Sequence, residues 1–372
     1  MELKIFKFPI FYLKFVGVWI ENDSCLIFKF YAYFMQIFFL YIWILLMGAA
    51  IPQKDNLIDL AELLTFFLTY VAATVKFTNI NLKVNEFISL ISDMKKVIKD
   101  FEIKEFYIKK QFSFGKKLFI GYWLPSFLGV LFSGILTFFT GEFNVSMWFP
   151  YDTSKENSAI LFYLCASYQL IEAFLYSNAN VMVDAICFLP MIYLIAMLEH
   201  LCDNLENLKE QKDQEFDNYK ELLNCVNYQR TIVELTRRTE AIFAKVVAIQ
   251  GSLLSIILCT IALALTTLTL PEELSTMLKF SSFMMAMVFQ LAIPCYYGAM
   301  ISLQYDKISY SAFYSDWILE DLKYRKDFKF FMQNTTRKIK LSAFGLYDIN
   351  FQTFGKVLNM AYSLYAVFRR IH

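Results

Sequence analysis

Histidine is almost missing from this chain: only His200 and His372 occur in its 372 residues. A His-based metal centre or a Ser-His-Asp triad cannot assemble from so few within one chain. The chain also lacks a phosphate-binding glycine loop and a P-loop lysine. An excess of either charge is absent as well. Lys+Arg 35 against Asp+Glu 34 leaves a net charge of +1, so no global basic field draws nucleic acid. No internal repeat or low-complexity segment is visible. These absences argue against an enzyme and predict no cofactor.

Apolar residues are abundant: 58% hydrophobic and 18% aromatic, with only 19% charged. A soluble domain is nearer half apolar and a quarter charged. The apolar residues come in blocks with the charges between them, which predicts a chain that lives in lipid. Segments 31–50, 118–140, 246–270 and 280–305 each provide the roughly 20 apolar residues a crossing helix needs, with no charge. Segment 158–198 is equally apolar but holds Glu172 and Asp184. A helix from Ser158 places Asp184 roughly 39 Å along, past the hydrocarbon core, so this span is expected to continue into water. Segment 57–80 has a charge-free centre flanked by Asp59, Glu62 and Lys76, and 349–368 carries a pattern of polar residues. Accepting both gives an all-α membrane protein of seven transmembrane helices.

Orientation follows from the basic residues. Twenty-seven fall in the N-terminal tail and in segments 81–117, 199–238 and 304–348, against five (Lys54, Lys155, Lys279, Arg369 and Arg370) on the other side. The N-terminus is expected in the cytoplasm and the C-terminus outside. Lys7, Pro9 and Lys14 interrupt the first apolar run, so it does not read as a cleaved signal. None of the seven cysteines lies in an expected outer loop, so no external disulfide is expected. Of three Asn-x-Ser/Thr sequons only Asn144 is on the outer side, where a glycan has access.

The cytoplasmic segments carry helical periodicity. Phe87, Ile91, Met94, Ile98 and Phe101 repeat at 4-3-4-3 spacing, and Leu201, Leu205 and Leu208, then Tyr219, Leu223 and Val226, do likewise. Helices on the membrane surface and a packed anchor domain that joins subunits fit this spacing equally. The chain therefore divides into a bundle of four spans with the N-terminal tail (1–198), a helical connection (199–245), two further spans (246–305), an anchor segment (306–348) and a last span (349–372).

In that last span Gln352, Lys356, Asn359 and Ser363 are 4, 3 and 4 residues apart and share one helix face. Unpaired polar groups are costly in lipid, so the stripe must meet protein or water. Continuing along it leads to Val367, Arg370 and Ile371. One reading is a helix bonded inside its own bundle; the other is a pore wall narrowed by apolar residues that gate by dewetting.

Tyr314-Ser315-Asp316-Trp317, the pair Arg325-Lys326, the run from Arg337 to Gly345, Phe354 and the ending Ala361-Tyr362-Ser363-Leu364-Tyr365 resemble the insect odorant receptor family. The outer loop from Met147 to Asp152 shares the resemblance; Lys338, where the family often has proline, departs from it. The resemblance implies an odorant-gated, non-selective cation channel built as a tetramer, in the plasma membrane of olfactory sensory neurons. Its seventh span lines the pore, with Val367 and Ile371 at the apolar gate positions and Arg370 between them. The short connection after the fourth span implies a ligand-tuning subunit that assembles with the co-receptor, which carries a long insertion there. It also implies an odorant site among spans two, three, four and six. There the sequence offers Phe66, Tyr70 and Ala73; Ser133, Leu136 and Thr140; Tyr168 and Glu172; and Phe280, Phe283, Met284 and Met287. These aromatics, methionines and hydroxyls suit a small, weakly polar volatile, aromatic ones included. Glu172, about 21 Å into its span, is an intramembrane ionisable group and hence a functional candidate or a tyrosine's partner.

Three rival classes fit the sequence less well. A G-protein-coupled receptor needs the opposite orientation and usually a cysteine in the second outer loop. A transporter needs paired broken helices in related halves, which Pro125 and Pro294 do not form. A gustatory receptor shares the topology, but its Thr-Tyr and terminal Gln-Phe ending is absent.

Overall fold

The computed structural model describes residues 4–54, 57–143, 145, 147–151, 153, 158–209, 218–267, 274–335, 339–343, 345 and 347–371. Asn144, Asp152, Arg337, Lys338 and His372 lie outside these, as does the side chain of Ile371. The chain runs α1 (Lys4–Phe15), α2 (Leu26–Met35), a π-helical turn (Gln36–Tyr41), α3 (Ile42–Ala50), α4 (Leu57–Asp100), α5 (Glu105–Thr140), α6 (Ala159–Glu206), α7 (Asn218–Thr267), α8 (Leu274–Phe313), α9 (Leu322–Thr335) and α10 (Phe351–Ile371). Two short strands, β1 (Ser342–Ala343) and β2 (Tyr347–Asp348), pair antiparallel just before α10.

Among the described residues, six stretches are long and apolar enough to cross a membrane: Leu26–Gln53 and one in each of α4 to α8. At 21 residues α10 is about 32 Å long, enough to cross, but its polar residues keep it out of that count. Local chemistry sets several ends. The Ser158 hydroxyl accepts from Leu161 N at the start of α6, and Asn350 Oδ1 accepts from Thr353 N at the start of α10. Gly141, at φ 76°, closes α5 in the left-handed region that glycine tolerates.

The second span and the amphipathic stretch after it form one 44-residue helix, α4. Phe87, Met94 and Ile91 are buried, and α4 packs along α7 instead of lying on a membrane surface. The periodic stretch that includes Phe87 and Ile98 ends at 101–104, where Glu102 adopts φ 46°, and α5 begins after it. On α7 the buried face runs through Leu222, Cys225 and Tyr228, and Leu223 of the periodic apolar set is 42% exposed.

α6 is the central post: every residue from Asn178 to Leu198 is buried, with α1, α4, α5, α7 and α8 around it. A helix apolar on nearly all sides is covered on all sides. Asp184, expected in water, is instead buried with three partner groups. Its Oδ1 accepts from Lys76 Nζ at 2.7 Å, and its Oδ2 accepts from Tyr122 Oη and Gln290 Nε2, each at 2.9 Å. Lys76 Nζ also donates to Asn180 Oδ1 at 3.0 Å. His200 is on α6, buried with its ring against Tyr107 and Tyr228.

α10 packs on α7 and α8. An added Cβ at Gly298 would stand 2.2 Å from the Ile349 carbonyl oxygen, so only glycine lets α8 meet the entry to α10 this closely. The strand pair is pinned to α7: Glu240 accepts from the Ser342 backbone and hydroxyl, and Tyr347 Oη donates to the Val247 and Ala248 carbonyls.

Candidate functional site

Between α3, α4, α5, α6 and α8 the bundle encloses a cavity of ≈ 130 Å³. A dry cavity of about 150 Å³ admits a benzene-sized guest, so this one suits a single small ring. Helical spacing builds each wall. α4 contributes Phe66, Tyr70 and Ala73, and α5 contributes Ser126, Val130, Ser133 and Thr137. α8 contributes Phe283 and Met287, while Trp43 reaches in from α3 and Gln169 from α6.

Six of the twelve residues singled out from the sequence thus line one space: Phe66, Tyr70, Ala73, Ser133, Phe283 and Met287. The other six stand off it. Leu136 and Thr140 fall beside the lining face of α5, with Thr140 exposed and its hydroxyl donating to Leu136 O. Tyr168 is turned toward the N-terminal hairpin, where its hydroxyl donates to Phe38 O, a carbonyl of the π-helical turn, at 2.5 Å. Phe280 is buried behind Phe66, their ring centroids 6.5 Å apart, and Met284 packs into the main core. Glu172 is fully buried one layer back and accepts from Tyr70 Oη at 2.7 Å. It therefore orients a lining tyrosine.

Three lining residues carry polar atoms buried without a partner among the described residues: Trp43 Nε1, Ser133 Oγ and Gln169 Oε1. Each unpaired group costs about 1–3 kcal/mol. One guest bearing a hydroxyl or carbonyl has a matching donor or acceptor to meet. Sequence reading missed Trp43 and Gln169; the available signal was the Gln169 amide one turn before Glu172 on the same span. It also counted Lys279 only as an outer-side charge. The structure puts Lys279 at the cavity wall, with Nζ 2.6 Å from Glu62 Oε1 and 5.3 Å from the Phe66 ring centroid. The site thus has apolar and aromatic walls, a few hydrogen-bonding atoms and one neutralised cation.

On α10 the buried side is set by Thr353 and Ala361. Gln352, Lys356, Asn359, Ser363, Val367 and Arg370 are all exposed on the opposite face. The stripe is therefore not bonded into its own bundle; the Ser363 hydroxyl donates back to Asn359 O at 2.8 Å.

Residues 56–362 match the family model described as 7tm Odorant receptor. The chain is 25% identical over 221 residues to odorant receptor 33a of Drosophila melanogaster, covering 59% of this chain and 57% of that one. It is 24% identical over 250 residues to odorant receptor 22b of the same organism, covering 66% and 61%. It thus spans less than two thirds of the length of these relatives. In shape it is similar to the insect olfactory receptor OR5 from Machilis hrabei, with a TM-score of 0.84 over 99% of this chain and 98% of that one, at 14% identity. The same receptor in complex with eugenol gives a TM-score of 0.82. A match covering most of the chain, on a shared helical fold, makes this protein a member of the 7tm odorant receptor family.

Proposed function

We propose that this chain is the ligand-tuning subunit of an odorant-gated, non-selective cation channel. It binds a small volatile in the cavity between α4, α5, α6 and α8 and opens a pore lined by α10. The observation that carries the reading is the outward polar edge of α10, because such an edge at membrane depth needs water or a sister subunit against it. Asn359 and Ser363 then face permeating cations, and Val367 and Ile371 form the apolar constriction. The 27-to-5 division of basic residues supports a cytoplasmic N-terminus. Plasma membrane location in olfactory sensory neurons and assembly with co-receptor subunits as a heterotetramer are part of this reading, and membership of the family supports them.

Single cysteines at 359, 363 and 367, expressed with a co-receptor while G-protein signalling is blocked, test this. Whole-cell currents evoked by volatiles, eugenol among them, should persist under the block. A water-soluble thiol reagent should change those currents when applied with the odorant and leave a cysteine at buried position 361 untouched. Equal inaccessibility of all three sites in the open and closed states would sink the proposal.

A further inference from the structure

A second and larger hollow, ≈ 980 Å³, opens between α1, α4, α5, α6 and α8 near the α4–α5 turn. The tight 101–104 connection joins the end of α4 to the start of α5, and lysines from both helices line the hollow. Lys95 and Lys99 come from α4, Lys109 and Lys116 from α5. Among the described lining residues Glu105 is the sole acid, and it is ion-paired with Lys109. The mouth therefore carries a surplus of exposed positive charge.

Farther in, the lining turns apolar through Phe112, Phe119, Phe188 and Ile192, with Pro9 of α1 closing one side. Tyr297 of α8, 1% exposed, also lines this hollow, and its hydroxyl has no hydrogen-bond partner among the described residues. An added Cβ at Gly115 would stand 2.6 Å from Ile192 Cδ1 and 3.0 Å from Tyr297 Oη, so a larger residue there would press on the buried hydroxyl. Lys109 and Phe119 are ten residues apart on one helix, about 15 Å, and Phe112 and Lys116 fall between them, so exposed cations and apolar rings share this wall. That is an amphipathic layout: cations at the water boundary, one orphan donor beneath them, aromatic walls inside.

We propose that this cleft is a binding site for an anionic glycerophospholipid of the adjoining leaflet. The lysines hold the phosphate and the charged headgroup. Tyr297 Oη donates to an ester carbonyl, and the acyl chains run along Phe119 and Phe188. The charge surplus selects this occupant over a neutral lipid, and the apolar interior selects it over a free phosphate. The inference is independent of the channel reading, since it concerns a different cavity and needs no current to test it.

The test is native mass spectrometry of the full chain titrated with phosphatidylserine, phosphatidylcholine or soluble glycerophosphoserine. Phosphatidylserine should bind at least about tenfold tighter than phosphatidylcholine, and glycerophosphoserine should not be retained. The triple substitution Lys95→Gln, Lys99→Gln, Lys116→Gln should bring phosphatidylserine down to the phosphatidylcholine level. These side chains are exposed, so gel-filtration behaviour should be unchanged. Lys323→Gln with Lys326→Gln on α9 should leave binding intact. Tyr297→Phe, which breaks no hydrogen bond within the described protein, should weaken both lipids several-fold. Equal binding of the two lipids, full phosphatidylserine binding by the triple variant, an equal loss in the α9 variant, or retention of the soluble headgroup would each overturn the site.

Discussion

Ser133 and Gln169 stand on neighbouring helices, each with a buried oxygen left without a partner among the described residues. A net hydrogen bond contributes about 0.5–1.5 kcal/mol. Ser133→Ala or Gln169→Leu should therefore raise the half-maximal concentration of hydroxyl- or carbonyl-bearing volatiles roughly two- to tenfold, while hydrocarbon volatiles of equal size are unaffected in the same dose–response recordings. Away from the spans, Lys14 at 2.8 Å and Trp19 Nε1 at 3.0 Å hold the Glu21 carboxyl below its usual range, against partial burial, which acts upward. A lowered carboxylate contributes stability that is present above its unfolded value and lost as pH falls through the folded one. Melting temperature measured from about pH 6 down to about pH 3 should decline less for Glu21→Gln than for the parent. Spacing explains which site residues could be read in advance. From Ser133, steps of three and four lead to Leu136 and Thr140 or to Val130 and Thr137, and both strips are equally helical. Only the second faces the cavity.

At the scale of elements, the polar cluster around Asp184 ties α4, α5, α6 and α8 together beside the cavity, whose lining includes Tyr122 and Asn180. Removing one partner of a buried ion pair leaves an uncompensated charge and costs about 3–5 kcal/mol, whereas replacing both with apolar residues is often neutral. Lys76→Met alone should lower the unfolding temperature of the solubilised protein sharply. Lys76→Met with Asp184→Leu should recover most of the loss. Sequence alone could not pair these residues, which are 108 positions apart. Asp184 looked too deep along its helix for lipid, and the resolution is that α6 is enclosed by other helices throughout this stretch. The long helices themselves were readable because apolar blocks and 4-3 spacing are local properties, as was the continuation of α6 past its span; the fusion of the second span and the stretch after it into one 44-residue rod was not.

For the whole molecule, Arg370 on the exposed face of α10 sets an assembly constraint. Unit charges 10 Å apart repel by about 0.4 kcal/mol in water and about 1.7 kcal/mol at an effective dielectric of 20. Four copies around one pore mouth multiply that cost and oppose entering cations. In the proposed channel, Arg370→Gln should give the chain expressed alone a measurable odorant-evoked current where the parent gives little, and should change the co-expressed current less. Composition and charge placement were enough to settle that the chain is helical and membrane-embedded and that its last helix has a hydrophilic edge, since each depends on neighbours along the chain. Which apolar face turns inward depended on packing. Lipid and protein interior are equally apolar, so hydrophobicity cannot mark the boundary between them, and only the contacts among helices distant in sequence place the cavity, the buried ion pair and the basic cleft.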